Sequence, residues 1–250
     1  MLKAGLVSIS FRDKSPDEII SAAKNAGLEA IEWGSDGHAP FYDAERLRHI
    51  AEQQRAAGIK SCTYGTYFRI GVNYWGEIRP YIAAAEILGA KILRVWCGNK
   101  SSLEHSALEK QKIISDSKKL AELAESEGVT LCLEFHPHTF SDELKSSLEL
   151  VRAVGSPAFK MYWQPNQFRT AEENKVSASG LAEYVENIHV FNWDAYSRYP
   201  LKEGADIWRE YAACFKGDHT LMLEFMPDDD INSLAEEAKA LKDIIKGVSL

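Results

Sequence analysis

No apolar run in this chain approaches the roughly 18 residues that a membrane-crossing helix needs. Basic clusters are missing too: 29 Lys and Arg face 37 Asp and Glu, a formal charge of −8. Such a chain gains little from a phosphate backbone, which argues against a nucleic-acid partner. The cysteines, Cys62, Cys97, Cys132 and Cys214, show neither CxxC nor zinc-ribbon spacing. Three of them sit in strand-like runs, where a thiol serves as a small hydrophobe. The expectation is a reduced, cytoplasmic protein without disulfides. The N-terminal MLKAGLVS does not read as a signal peptide, because polar residues interrupt it by Ser8; it reads as a first strand. With no heptad array, linker or low-complexity tract, the 250 residues read as one domain, 1–250.

What is present is a beat of about thirty residues. Gly27, Gly58, Gly89, Gly128 and, less regularly, Gly155 each precede an apolar run. Glycine suits the position just past a helix C-terminus, where φ turns positive. The segments before these glycines carry apolar residues at helical spacing, as with Ile19, Ala22, Ala23 and Ala26. Ser15-Pro16-Asp17-Glu18 supplies a capping box with Pro in the first turn. Strands are expected near 3–9, 28–33, 59–64, 91–96, 129–135, 158–163, 186–191 and 220–225, with helices between them and after the last. Continuous apolar strands fit a parallel sheet covered on both faces. Eight such units predict an α/β fold, a (β/α)8 TIM barrel. A doubly wound sheet is the alternative, but no Gly-rich phosphate loop is found.

Two stretches repeat a pattern: LCLEF (131–135) and LMLEF (221–225) each bury a glutamate near the end of an apolar run. Burial of a carboxylate is costly unless a charge meets it. In a barrel, chemistry sits at the C-terminal strand ends. There the second half offers Glu134, Gln164, His189 and Glu224, one from each consecutive strand. Two carboxylates, an imidazole and an amide oxygen suit a divalent cation. The alternatives are a glutamate paired with a buried arginine such as Arg94, and a hydrogen-bonded core histidine at position 189.

The chain resembles the sugar phosphate isomerase/epimerase superfamily, the xylose-isomerase-like TIM barrels. The resemblance runs end to end through IEWGSDGHAP (31–40), YGTYFRIG (64–71), ILRVWCG (92–98), LCLEFHPHT (131–139), YWQPN (162–166), HVFNW (189–193) and LMLEFMPDD (221–229). It implies one divalent metal ion (Mn, Mg, Co or Zn) held by Glu134, Gln164, His189 and Glu224. The chain departs from the family at Gln164, where Asp is common, and at Gln167, where epimerases often carry His.

The implied chemistry is isomerisation or epimerisation of a small sugar through an enediolate, with Glu134 and Glu224 as catalytic acid and base. His38, Trp33, Trp96, His136, Gln167 and Trp193 are candidates to hold substrate, and Arg94 points either into the barrel or toward an anionic substrate group. For each tryptophan the alternative is packing, and for His138 an exposed loop. Asp228, Asp229 and Asp230 are expected to start the last helix, where acidic residues suit its dipole. Tyr199 and Trp208 are expected at the surface, available to a homo-oligomer interface. Rival readings are a 3-keto-glycoside epimerase or lyase, a nuclease, disfavoured by only 7 His and the acidic charge, and a non-catalytic sugar-binding barrel.

Overall fold

The five glycines of the sequence beat all take positive φ, from 66° to 77°, and each lies at or just past a helix end. The computed structural model describes residues 1–248. Eight parallel strands close into a barrel in chain order: β1 (Leu2–Val7), β2 (Ala30–Gly34), β3 (Lys60–Ile70), β4 (Ile92–Cys97), β5 (Thr130–Glu134), β6 (Phe159–Trp163), β7 (Val185–Val190) and β8 (His219–Leu223). β8 pairs with β1 to complete the ring. The helices follow their strands: α1 (Pro16–Asn25), α2 (Ala44–Ala57), α3 (Arg79–Leu88), α4 (Ala107–Glu127), α5 (Leu144–Val154), α6 (Ala171–Leu181), α7 (Ala205–Ala212) and α8 (Leu234–Gly247). None of the described helices is long and apolar enough to cross a membrane.

The expected capping box at the start of α1 is made: Ser15 accepts from the Glu18 amide, and Glu18 reaches back to the Ser15 amide. Ser106–Glu109 and Thr170–Glu173 repeat the device on α4 and α6. Asp230 caps a short turn, Ile231–Ser233, that leads into α8, so the acidic run stands at that helix start as expected.

Strand periodicity divides the core into two shells. Leu131, Leu133, Met161, Trp163, Ile188, Val190, Leu221 and Leu223 pack outward with the helices. Their alternates Cys132, Tyr162 and Met222 fill the barrel interior with Val7 and Ile9. Continuing that inner register by two residues brings Glu134, Gln164 and Glu224 onto the same interior side. The apolar residues of LCLEF and LMLEF thus serve two shells, while each glutamate caps the inner one.

Two expectations are corrected here. β3 runs to Ile70 rather than ending at 64, because its pairing with β4 resumes at Arg69↔Trp96 after an irregularity that follows Gly65↔Arg94. Trp208 is not a surface aromatic: it is 2% exposed, and its indole N–H donates to the Phe191 carbonyl at 2.8 Å. Tyr199 does reach solvent. All four cysteines are free thiols.

Candidate active site

At the C-terminal end of the barrel, four side chains converge on His189. Its Nδ1 lies 3.0 Å from Gln164 Oε1, 3.3 Å from Glu224 Oε2 and 3.6 Å from Glu134 Oε1. Its Nε2 lies 3.2 Å from Glu32 Oε2. All five residues are buried. Glu32, on β2, was not among the sequence candidates. The signal was present, since IEW places a glutamate in an apolar strand just as the LEF stretches do.

Arg94 spans the floor of this cluster. Its Nε donates to Glu32 Oε1 at 2.8 Å, and its Nη1 pairs with Glu134 Oε2. The Tyr162 hydroxyl donates to Glu32 Oε2 at 2.7 Å and lies 3.0 Å from Thr63 Oγ1. The guanidinium needs space on β3, and Gly65 leaves it: a Cβ there would stand 2.5 Å from Glu32 Oε1 and 2.9 Å from Arg94 Nη2. The alternative weighed from sequence, a buried glutamate paired with Arg94, therefore holds for Glu134. Among the described residues no lysine or arginine pairs with Glu224; its one ion-pair contact is His189.

The electrostatics follow from this wiring. Burial alone would raise the Glu32 pKa, but Arg94 and His189 outweigh it and hold the group at about 2. Burial likewise opposes ionisation of Glu134, yet Arg94 and His189 keep it far below the usual carboxylate range. Burial would lower the His189 pKa; the carboxylates of Glu224 and Glu32 lift it well above the ordinary imidazole value instead.

The donor set fits a divalent cation. Glu134, His189 and Glu224 offer ligand atoms that all lie within 4.8 Å of one another. Donors sharing one small cation through bonds of about 2.1 Å stand roughly 3 Å apart, near the spacing of Gln164, Glu224 and Glu134 around Nδ1. Arg94 takes only one oxygen of Glu134 and leaves Oε1 facing the cluster. Glu32 engages the far nitrogen of His189, the arrangement by which an outer carboxylate orients a metal-binding imidazole. Three buried carboxylates against one guanidinium also leave a double negative charge for a cation to neutralise when the imidazole is neutral.

The remaining candidates divide. Trp96 and His136 stand by the cluster, on β4 and just past β5, and stack on each other with ring centroids 4.7 Å apart. Trp33 faces the other way: it is fully buried, and its N–H donates to Gln54 of α2 at 2.9 Å. Strand alternation requires this, since Glu32 takes the interior position. His38 is 1% exposed and packed beneath its loop, 3.2 Å from Ser8 Oγ and 3.1 Å from the Phe11 carbonyl. Neither is placed to hold substrate. Arg94 points into the barrel, bound to Glu32 and Glu134, and not toward an anionic substrate group. Gln167 and Trp193 line a cleft of about 150 Å³ with Asn166, Asn192 and Trp208; no member of the His189 cluster lines it.

Comparison with known proteins agrees with this architecture. The sequence profile of the xylose isomerase-like TIM barrel matches residues 20–215. The chain belongs to that family. A 3-dehydroshikimate dehydratase of Bacillus anthracis is 26% identical over 171 residues, which is 64% of this chain and 60% of that protein. The match therefore spans less than two thirds of the relative's length. The crystal structure of the probable 3-DHS dehydratase AsbF from Bacillus anthracis superposes with a TM-score of 0.79 at 20% identity, covering 97% of this chain and 99% of that one. A D-psicose 3-epimerase from Clostridium cellulolyticum H10 gives 0.71 at 13% identity, covering 98% and 99%. The two structural likenesses establish a shared fold. Proteins with both dehydratase and epimerase names thus share this barrel fold.

Proposed function

We propose that this protein is an enzyme that removes a proton from the carbon beside a carbonyl of a small polyhydroxylated substrate. The observation that carries this is the convergence of Glu134, Gln164, His189 and Glu224 on one point, with Glu224 free of any lysine or arginine among the described residues. Glu134, Gln164, His189 and Glu224 would hold the cation. When bound, a divalent ion supplies Lewis acidity toward the carbonyl oxygen and so acidifies the neighbouring C–H. Glu224 is the base: its carboxylate accepts the α-proton. Glu134, pinned by Arg94, holds its position and its charge. His189, oriented by Glu32, keeps Nδ1 turned into the site.

This asymmetry weighs against Glu134 and Glu224 acting as a matched catalytic acid and base. One carboxylate with no lysine or arginine partner among the described residues favours elimination as the second reading. Glu224 takes the α-proton, the electron pair expels a β-hydroxyl, and the same proton leaves with it as water. The dehydratase name of the curated relative supports that reading.

The test is solvent exchange. The protein, supplied with Mn²⁺ in D₂O, is incubated with ketoses and cyclic keto-polyols, and α-deuterium is read by NMR. Exchange should fall by about 10²-fold or more in Glu224→Gln. Product mass separates the outcomes, since an epimer keeps the substrate's mass and an elimination product has lost water. Full exchange in both Glu224→Gln and Glu134→Gln would overturn the proposal.

A further inference from the structure

From sequence, Arg94 is a candidate either for the barrel interior or for an anionic substrate group, and the structure commits it to two buried carboxylates. A different arginine is left without one. Between Gly65 and Arg69, β3 advances four residues while β4 advances two, from Arg94 to Trp96. This irregularity sets Arg69 beside Trp96, one layer above Arg94 at the mouth of the barrel. Its guanidinium carbon lies 4.1 Å over the Trp96 ring, and that ring stacks on His136, two residues past Glu134. One Arg69 nitrogen, Nη1, donates to the Gly98 carbonyl at 2.9 Å and anchors the group. Among the described residues no carboxylate lies within ion-pairing distance of it. Arg12, Arg169 and Arg198, by contrast, are each paired with an acid.

A second donor beside Arg69 is also unsatisfied. The Trp96 indole Nε1 is buried and has no hydrogen-bond partner. Leaving such a donor unmade costs about 1–3 kcal/mol, which a ligand oxygen accepting from it would recover. Arg69 is half-buried, and its pKa is drawn down by burial while the Glu134 carboxylate opposes the change, so it stands within electrostatic reach of the site. A guanidinium held over an indole, partly desolvated and with N–H groups to spare, is suited to grip an oxyanion.

We propose that Arg69 and the Trp96 N–H form an oxyanion subsite at the barrel mouth, so that the substrate carries a carboxylate or a phosphate group. This rests on the proposed deprotonation at the His189 cluster and specifies which polyols reach it. In this subsite Arg69 binds the anionic group, Trp96 supports the guanidinium and adds one hydrogen bond, and the polyol backbone extends from there toward Glu224.

Calorimetric titration at fixed ionic strength tests this with three related polyols: D-gluconate, D-glucitol 6-phosphate and neutral D-glucitol. One of the anions should bind at least about tenfold more tightly than glucitol, and which one identifies the group. Arg69→Gln should remove that preference, and Arg198→Gln, whose arginine is already paired with Asp229, should leave it intact. Trp96→Phe keeps the stack and removes the N–H; it should weaken the preferred anion several-fold and serves if Arg69→Gln does not fold. Equal binding of all three, no binding of either anion, or a preference that survives both Arg69→Gln and Trp96→Phe overturns the subsite. These results are separate from the exchange assay. If the deprotonation reading fails, α-exchange is absent from every ketose and keto-polyol while the anion preference remains; if the subsite fails, the preference is absent while exchange remains.

Discussion

LCLEF and LMLEF differ by one residue, yet their glutamates have different surroundings. Glu134 ends β5 beside β4, which supplies Arg94, and is 3% exposed. Glu224 follows β8, whose neighbours are β7 and β1, and among the described residues its carboxylate has one ion-pair contact, His189. The backbone diverges as well. The Phe135 amide continues the ladder to the Tyr162 carbonyl, whereas Phe225 takes φ 55° and donates to Ser10 Oγ. A positive φ at a bulky residue is a strained conformation held by its surroundings, and such residues concentrate at functional sites. One glutamate is thus tied to a buried guanidinium, and the other stands at a strained turn with no lysine or arginine partner among the described residues. The sequence context of a buried carboxylate sets its depth, and the adjacent strand sets its role.

The largest effect expected from that contrast is on stability. Arg94→Met should strip Glu32 and Glu134 of their counter-charge and cost about 3–5 kcal/mol, read by urea unfolding. Glu224→Gln should cost clearly less than Arg94→Met, because the variant loses only the contact with His189, which keeps its pairing with Glu32. Similar losses in the two variants would dissolve the distinction between the glutamates.

Acid should act on the Arg94 side of the site. Glu32 is held at about 2 against an ordinary 4.5, so its stabilising contribution is complete above about pH 4.5 and is lost as pH falls toward 2. Glu134 is depressed in the same direction. Thermal melts of Glu32→Gln should therefore show a shallower loss of stability between pH 4.5 and 2 than the parent protein. An identical slope would mean that Glu32 carries no linked charge.

Most of the fold was legible because its signals are local. A glycine after each of the first five helices and an apolar run after each of those glycines need no tertiary information, and seven of the eight strands fall within a few residues of expectation. β3 was cut short because its extension depends on pairing with Trp96 of β4. The convergence of Glu134, Gln164, His189 and Glu224 was legible from unit-by-unit spacing. Glu32 obeys the same rule but lies on β2, outside the repeated LEF pattern of the barrel's second half. Trp33 does not face the site, because it alternates along the strand with that very residue. The commitment of Arg94 to both Glu32 and Glu134, and the isolation of Arg69, could not be read from spacing. They depend on which side chains meet across the interior and on the room left by Gly65.

The smallest effect concerns a single proton. In the metal-free chain, burial opposes protonation of His189, but Glu224 and Glu32 raise its pKa well above 6.5. Its two nitrogens then donate toward Gln164 and Glu32. That pairing stabilises the fold fully below about pH 6.5 and is lost as pH rises through the raised value. A cation held by Nδ1 needs the lone pair that this proton occupies, so loading near neutrality should expel about one proton per chain. Mn²⁺ titrations in two buffers of different ionisation enthalpy measure that number directly, and affinity should climb with pH until the imidazole is neutral. Glu32→Gln removes one of the carboxylates that raise the His189 pKa, so its release should be smaller at the same pH. Glu134→Gln leaves Glu32 and Glu224 in place and should retain more of the release. Binding with no proton released in the parent protein would mean that His189 is not a ligand, and the cation would have to be held by the Glu134 and Glu224 oxygens without it.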